Sequence, residues 1–245
     1  MSLFRLFFVL TIFLFLSCNN SNEINKPNIV LFMVDDLGWQ DTSVSFWKNE
    51  TKFNRLYNTP NMEILANMGV KFTNAYATPV CSPSRISLMT GMNAAKHRVT
   101  NWTLNPNKKK PAEINHKNFE FPDWNYNGLS TLDSISNTIY STPLPQILKD
   151  NGYYTIHAGK AHLGAIGYPS SNPLNIGFDI NIAGHAAGAP QSYLGIDHFG
   201  NNDKSKKIWA VPGLEKYHGK DIFLTQAISE EVLEKLQKPI NSKSP

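Results

Sequence analysis

The chain has 245 residues, enough for one large domain or two small ones, and its composition of 41% hydrophobic and 17% charged residues is that of an ordinary globular protein. The net charge of +4 comes from scattered basic residues, apart from the run at 108–110, which a proline follows. Without a basic stripe or a basic helix, the sequence argues against a nucleic-acid partner.

Residues 1–17 have the pattern of a signal peptide. Arg5 is their only charged side chain, and residues 6–16 are apolar except for one threonine. That segment is too short to span a bilayer as a helix. Ser17 is small, as a cleavage site requires, and Cys18 follows it, so residues 16–18 resemble a bacterial lipoprotein box in which Cys18 is lipidated. Ordinary secretion with an incidental Cys18 is the alternative.

This pattern predicts an exported protein, either a periplasmic or an outer-membrane lipoprotein that reaches the cell surface. Its membrane contact would be only through a lipid anchor, with residues 18–26 as a tether before the domain at 27–245. The chain has two cysteines, so lipidation of Cys18 would leave Cys81 without a disulfide partner. An unpaired cysteine in an exported protein needs an explanation.

The first half of the domain alternates predicted strands and helices. The six consecutive apolar residues 29–34 predict a strand buried on both faces, over residues 28–34. Residues 59–68 predict a helix, because Thr59 suits the N-cap, Pro60 the first turn and Gly69 the end. A strand over 70–77 and a helix over 82–89 follow.

The second half is more irregular. Residues 101–142, rich in Asn, Pro, Lys and Ser, predict a long excursion of the kind that is usually functional. Residues 145–149 predict a helix, 153–158 a strand, 164–215 loops, and 221–236 an amphipathic helix followed by a loop containing Pro239. Strands alternating with helices predict an α/β layered fold with a mostly parallel sheet.

Three groups of residues carry candidate chemistry. Asp35 and Asp36 follow the first predicted strand, where α/β sheets place their sites, and clustered carboxylates suit a hard divalent cation. A capped turn with one solvated aspartate explains the pair equally well. Cys81 precedes a predicted helix, whose N-terminal amides favour an anion, and Arg85 adds a fork of donors. A buried inert cysteine is the alternative there.

Lys160 and His162 form the third group. Gly159 lets the chain turn closely, and Lys160 and His162 then lie on one side of an extended segment, as a cation and a group that can move a proton near neutral pH. A surface lysine beside a satisfied histidine accounts for the pair taken alone.

Taken together, these segments resemble the sulfatase family. CSPSR at 81–85 with LMTG at 88–91 is similar to the first sulfatase signature, and GYYT at 152–155 with GKAH at 159–162 is similar to the second. PNI at 27–29 with DDLG at 35–38, and TPN at 59–61, also match the family, in its order. The match covers about residues 26–185 and looks most like exported bacterial sulfatases that act on sulfated carbohydrates.

The resemblance implies the alkaline phosphatase-like layered fold, with a mostly parallel central sheet flanked by helices and truncated at the C-terminal side. It implies that a sulfatase-maturing enzyme oxidises Cys81 to formylglycine, whose hydrated form attacks the sulfate ester. It also implies Ca²⁺ held by Asp35 and Asp36 together with the Cys81-derived residue. Catalysis would use Cys81, Arg85, Lys160 and His162, with a sulfated small molecule or polysaccharide as substrate.

Two further histidines are weaker substrate-binding candidates. His185 lies in a glycine-rich loop, where a scaffolding role or solvation is the more common outcome. His97 follows the predicted helix at 82–89. Trp102 is either a sugar-stacking face or a core residue.

Two other functions fit the same sequence. A phosphoesterase or phosphonate hydrolase of the same superfamily is one, although the cysteine in CSPSR favours sulfate. The other is a catalytically incomplete, surface-anchored fragment, since no leaving-group acid, third metal carboxylate or second lysine can be assigned.

Overall fold

The structure is a computed structural model that describes residues 26–108, 117, 118, 120 and 122–245. The predicted signal peptide, Cys18 and all of the tether except Lys26 lie outside the described residues. The chain divides into a unit that ends at Leu31 and includes Pro245, and a unit Phe32–Ser244. In the first unit, residues 26–31 have no regular secondary structure, and Ile29 and Val30 are 59% and 87% exposed.

The second unit contains the helices and strands of the described chain. The α-helices are α1 (Pro60–Met68), α2 (Cys81–Thr90), α3 (Ala94–His97), α4 (Leu144–Asp150) and α5 (Leu224–Ser242). The strands are β1 (Leu129–Ser130), β2 (Ile139–Tyr140), β3 (Ile156–Ala158) and β4 (Ile180–Ile182). Short 3-10 helices lie at Asn54–Leu56, Pro169–Ser171, Pro173–Ile176, Gly195–Gly200, Lys204–Trp209 and Glu215–Tyr217.

Both strand pairs are parallel. β1 pairs with β2, and β3 pairs with β4 in a register that sets His157 opposite Asn181. Parallel pairing between strands joined by helices and loops confirms the α/β class. No helix in the described part of the chain combines the length and the apolarity needed to cross a bilayer.

The hydrophobic clusters of the core lie C-terminal to residue 80. Its largest cluster packs β4 against α5 and the segment between them, and a second packs α2 against β1 and the loop after β3. The first comprises Ile182, Ala183, Phe199, Val211, Leu214, Tyr217, Leu224 and Ala227, and the second Ile86, Val99, Leu129, Leu163 and Ile176.

The predicted helices at 59–68, 82–89 and 145–149 form, each within a few residues of its predicted bounds. The last helix extends further than predicted. α5 continues through Pro239 to Ser242, because Pro239 lies in the final turns, is buried there and interrupts few hydrogen bonds. The strand β4 was not predicted, since its three residues lie inside a segment rich in loop-forming residues.

The strands predicted over 28–34 and 70–77 are wrong for this structure. Both segments lack strand structure, and Phe32 and Val70 are 85% and 81% exposed. A buried strand receives its hydrogen bonds and its burial from neighbouring strands and layers. Within the described second unit, the paired strands are β1 with β2 and β3 with β4 only, so residues 32–34 and 70–77 have no such neighbour.

Candidate active site

Cys81 is the first residue of α2, so this helix begins one residue before its predicted start at Ser82. The N-cap residue Val80 has no side chain that could cap the helix, so the first-turn amides keep their donors directed out of the helix end. Ser84 stabilises the entry instead, because its Oγ accepts from the Thr78 amide at 3.1 Å. The Cys81 thiol is half-buried. A half-buried sulfur at a helix N-terminus lies where anions are favoured.

Arg85 lies one turn further along α2 and connects two distant segments. Its Nη2 donates to Asp35 Oδ1 at 3.1 Å, and its Nη1 donates to the Lys160 carbonyl at 2.5 Å. The side chain is 10% exposed, and its Nε is buried without a hydrogen-bond partner among the described residues. Arg85 therefore holds Asp35 and the loop after β3 on the same side of α2.

Asp35 receives two cations at once. Lys160 Nζ forms an ion pair with Asp35 Oδ2 while Arg85 binds the other oxygen. Partial burial acts to raise the pKa of Asp35, but the hydrogen bonds from Lys160 and Arg85 outweigh it and hold that pKa below its usual value. The structure thus joins Asp35, Arg85 and Lys160 in one charged cluster.

Ser82 links the start of α2 to the candidate base. Its Oγ donates to the His162 carbonyl at 3.0 Å and accepts from the Thr103 amide at 3.1 Å. The Thr103 carbonyl in turn accepts from His162 Nε2 at 2.7 Å. These three bonds fix His162 beside the first turn of the helix that Cys81 begins.

The same contacts determine the tautomer of His162. A carbonyl can only accept, so Nε2 carries the proton and Nδ1 keeps its lone pair. Nδ1 is buried and has no hydrogen-bond partner in the described chain. Burial lowers the pKa of His162 to about 4, while the Thr103 hydrogen bond acts to raise that pKa and the nearby charges of Lys160 and Arg85 act to lower it. His162 is therefore neutral at pH 7, and the lone pair of its Nδ1 has no partner among the described residues.

The glycine-rich loop at 184–188 lies against two histidine rings. A Cβ on Gly188 would lie 2.5 Å from Cε1 of His162, and a Cβ on Gly184 would lie 2.6 Å from Nδ1 of His157. The His185 carbonyl accepts from the His162 amide at 3.1 Å. Glycine at 184 and 188 is what allows this close approach of backbone to ring.

Sequence reasoning did not single out His157 or Thr103. His157 is held by Asn181 Oδ1 at 3.2 Å, across the β3–β4 pair, and burial lowers its pKa to about 4, with the nearby Arg85 charge also acting to lower it. His157 lies between GYYT and GKAH, at a position that the resemblance does not specify, and Thr103 lies outside the matched motifs. Only the strand register and the loop after α3 bring them to the site.

The two weaker histidine candidates have structural contacts. His97 is fully buried, and its ring nitrogens bond Ser87 Oγ at 2.9 Å and the Val99 amide at 3.0 Å. Substrate binding by His97 stays a prediction. His185 is half-buried with its Nδ1 near the Ala183 carbonyl at 3.3 Å, and burial lowers its pKa. Its main contact with the site is through its backbone carbonyl.

The predicted metal ligands are only partly in place. Asp36 is exposed in a turn with φ of 54°, and both oxygens of Asp35 are occupied by cations. No group of three or more His, Cys, Asp or Glu side chains that could hold a metal occurs among the described residues. Ca²⁺ takes about six to eight oxygens. Asp35 and Asp36 therefore fit part of such a site, and Cys81 does not join them in a three-ligand cluster.

Comparison with known proteins gives one consistent answer. The family model described as Sulfatase matches residues 27–242. The chain is 29% identical to an uncharacterized sulfatase of Schizosaccharomyces pombe, in a match that covers 80% of this chain. It is 32% identical to human N-acetylgalactosamine-6-sulfatase, in a match that covers 65% of this chain. It covers 30% and 26% of those two proteins.

Solved structures agree with this result. The chain is 26% identical to Ps i-CgsB, with a TM-score of 0.58, over 90% of this chain and 43% of that one. For the structure of the same protein in complex with k-i-k-neocarrahexaose, the sequence identity is 27% and the TM-score is 0.57, with the same coverage of both chains. The chain belongs to the sulfatase family and has its α/β fold, and it spans about a third of the length of the curated relatives it matches.

Proposed function

We propose that the protein hydrolyses sulfate esters, with a formylglycine made from Cys81 as the nucleophile. The observation that carries this proposal is the placement of Cys81 at the start of α2, where Ser82 contacts the His162 carbonyl and Arg85 contacts Lys160. Two cations and a helix N-terminus suit the binding of a tetrahedral anion. A neutral histidine with an unpartnered Nδ1 supplies the base.

The reaction would proceed in two steps. The formylglycine aldehyde adds water to become a geminal diol, and one diol oxygen attacks the sulfur while the bond from sulfur to the alcohol breaks. The alcohol leaves and takes up the proton that the attacking hydroxyl loses. His162 Nδ1 then removes the proton of the second hydroxyl, the carbon–oxygen bond to sulfate breaks, and the aldehyde forms again. Arg85 and Lys160 stabilise the negative charge on the sulfate oxygens.

A Ca²⁺ ion belongs to this proposal. Asp35 and Asp36 would supply some of its oxygen ligands, which requires Asp35 to exchange its pairs with Arg85 and Lys160 for the metal. When bound, the ion would stabilise charge on the sulfate. Calcium titration by calorimetry tests this part without any turnover, and Asp36→Asn should weaken binding at least tenfold. Equal affinity in the variant would remove Asp36 from the site.

We further propose a sulfated carbohydrate as the substrate. The solved relative bound to k-i-k-neocarrahexaose supports this class. Export with a lipid anchor at Cys18 remains a prediction from residues 1–18. It is checked by asking whether Cys18→Ser releases the protein from the membrane fraction.

The decisive experiment reads the modification and the turnover separately. The protein is coexpressed with a sulfatase-maturing enzyme, and the tryptic peptide containing Cys81 is weighed by mass spectrometry. Loss of sulfur from that peptide and turnover of p-nitrophenyl sulfate are the expected results, and Cys81→Ala should abolish turnover while leaving the fold intact. A peptide that keeps its sulfur in every molecule would overturn the assignment.

A matched pair of substrates separates sulfatase from phosphoesterase. The same alcohol is offered as its sulfate and as its phosphate ester, and we expect the sulfate to turn over faster. Faster turnover of the phosphate would favour the phosphoesterase of the same superfamily.

Substrate binding without turnover is the second candidate function. The specific observation in its favour is that the described chain holds no cluster of three metal-binding side chains. Under this alternative, the matured protein binds sulfated sugar and does not release sulfate.

A further inference from the structure

The loop that carries the two candidate catalytic residues after β3 is held at both ends by one segment, residues 182–185. The Gly159 amide donates to the Ile182 carbonyl at 2.8 Å, and the His162 amide donates to the His185 carbonyl at 3.1 Å. These two backbone bonds determine where the loop lies relative to the segment. The position of the loop therefore depends on the shape of residues 182–185.

Asn181 closes this segment into a turn. Its Oδ1 accepts from the Gly184 amide at 3.0 Å, and its Nδ2 donates to the Gly184 carbonyl at 2.8 Å. A backbone amide only donates and a carbonyl only accepts, so this reciprocal pair determines which end of the Asn181 side chain is the oxygen. Within the turn, Ala183 has a φ of 65°, a left-handed conformation that is unfavourable for alanine. One side chain therefore stabilises a turn that the backbone alone does not favour.

His157 fixes the Asn181 side chain from the neighbouring strand. The register of β3 and β4 sets the two residues opposite each other, and His157 Nδ1 lies 3.2 Å from Asn181 Oδ1. Because this oxygen can only accept, His157 Nδ1 carries the proton and donates it. Phe178 packs against the His157 ring in an edge-to-face contact, with 5.1 Å between the ring centroids. Asn181 thus makes three hydrogen bonds, which need the acceptor and the donor that an amide combines.

The loop passes these constraints on to the candidate active site. The Lys160 carbonyl accepts from Arg85 while Lys160 Nζ pairs with Asp35, and the His162 carbonyl accepts from Ser82. A shift of the loop would therefore move both the cation and the base relative to α2.

We propose that Asn181 is a positioning residue, which holds Lys160 and His162 in place through the turn at 182–185, and that His157 acts through Asn181. Its effect on turnover rests on the proposed sulfatase function, whereas its effect on the loop does not. Both residues act through the backbone of the loop.

Hydrogen–deuterium exchange of the full chain tests the hold on the loop without any turnover. Asn181→Ala removes three hydrogen bonds and should make the Gly159 and His162 amides exchange about tenfold faster, measured by mass spectrometry on peptides that cover the loop. Asn127→Ala is the matched control, because buried Asn127 also makes three side-chain hydrogen bonds, all of them to Asn107 and Ser136. It should leave exchange in the loop unchanged.

Kinetics of the matured enzyme test the effect on catalysis. The kcat for p-nitrophenyl sulfate is corrected for the folded fraction by circular dichroism and for formylglycine content by mass spectrometry. Asn181→Ala should then reduce kcat about 10²-fold, because a displacement of about 1 Å can cost that much. Asn127→Ala should keep the wild-type kcat.

A pair of variants at His157 decides the question if Asn181→Ala does not fold. The amide nitrogen of an asparagine can take the place of His157 Nδ1, so His157→Asn should retain most of the kcat and the slow exchange of the loop. His157→Leu has no donor, and it should lose about tenfold in kcat and exchange faster in the loop. A merely structural role would lower the stability of both variants and leave the kcat of the folded enzyme unchanged.

Two results would overturn the positioning role. One is unchanged exchange in the loop of the folded Asn181→Ala and His157→Leu variants, and the other is faster exchange with a wild-type kcat. If the wild type itself does not turn over the sulfate ester, the proposed function fails, while the exchange measurement still decides whether Asn181 holds the loop.

Discussion

Two helices of nearly equal length show how differently the two parts of the second unit, residues 32–80 and residues 81–244, are packed. α1 has nine residues, none of them buried, whereas α2 has ten and buries Ser82, Pro83, Arg85 and Ile86. Neither helix has a side-chain hydrogen bond at its N-cap. Local signals therefore form a helix in both places, and packing partners decide which one contributes to the core.

The same contrast holds for the segments around these helices. From Phe32 to Val80, Val44 is the only buried hydrophobic residue of the described chain, and Met68 and Tyr76 are 81% and 91% exposed. Beyond residue 80, Leu129, Phe199 and Leu214 have no exposed surface. The sequence predicts burial for the apolar residues of both parts, but, apart from Val44, the buried ones lie beyond residue 80. Hydrophobicity therefore shows that burial of a side chain is favourable, and not whether a packing partner is present.

An isoleucine pair gives the largest expected difference between the two parts. Ile86→Ala removes a fully buried side chain and should lower the free energy of unfolding by about 2–5 kcal/mol. Ile64→Ala is its control on α1, where the side chain is 57% exposed, and should change it by less than about 0.5 kcal/mol. Urea denaturation measures both, and similar losses would show that α1 is packed in solution.

A glycine pair tests whether the loop at 184–188 positions His162. Gly188→Ala places a Cβ against the His162 ring and should reduce kcat of the matured enzyme about 10²-fold, because a displacement of about 1 Å can cost that much. Gly69→Ala, at the end of α1, meets only the Leu65 carbonyl at 3.5 Å and should leave kcat unchanged. Full activity of the Gly188 variant would mean that the ring has room to move.

The buried histidines lie beyond residue 80, and they predict that the stability of this part depends on pH. Burial lowers the folded-state pKa of His162 to about 4, below the unfolded value near 6.5, so the unfolded chain binds more protons between those values. His162 alone should therefore lower stability by about 2–3 kcal/mol as pH decreases from 6.5 to 4. Denaturation at several pH values checks this, and His162→Asn should reduce the slope in that window, while His157, whose pKa burial also lowers to about 4, should keep a slope of its own.

The smallest effect on stability is expected at an exposed apolar residue within residues 32–80. Phe72 is 76% exposed, so Phe72→Lys should change the free energy of unfolding by less than about 0.5 kcal/mol. It should also reduce self-association, since exposed apolar surface promotes it. Light scattering against concentration measures the second effect. A large loss of stability would show that Phe72 is buried in the protein in solution.

Sequence by itself determined the parts of the site that depend on neighbours along the chain. Pro83 and Gly91 predicted the helix over 82–89, which begins at Cys81 in the structure, and Gly159 predicted the close turn of the chain before Lys160 and His162. The family also followed from sequence, because its motifs occur in a fixed order, and the match to residues 27–242 confirmed it. Helix ends and motifs are local, so few residues suffice to define them.

The resemblance brought these residues into one site, but only the tertiary structure decided which of them pair and in what protonation state. Asp35 pairs with Arg85 and Lys160 across 50 and 125 residues of chain, a distance that no local pattern reports. The Thr103 carbonyl determines the tautomer of His162, and burial determines its pKa. Tertiary structure also decided that residues 28–34 do not form a strand here, because burial and pairing come from partner segments, whereas a hydrophobic pattern records only the requirement for them.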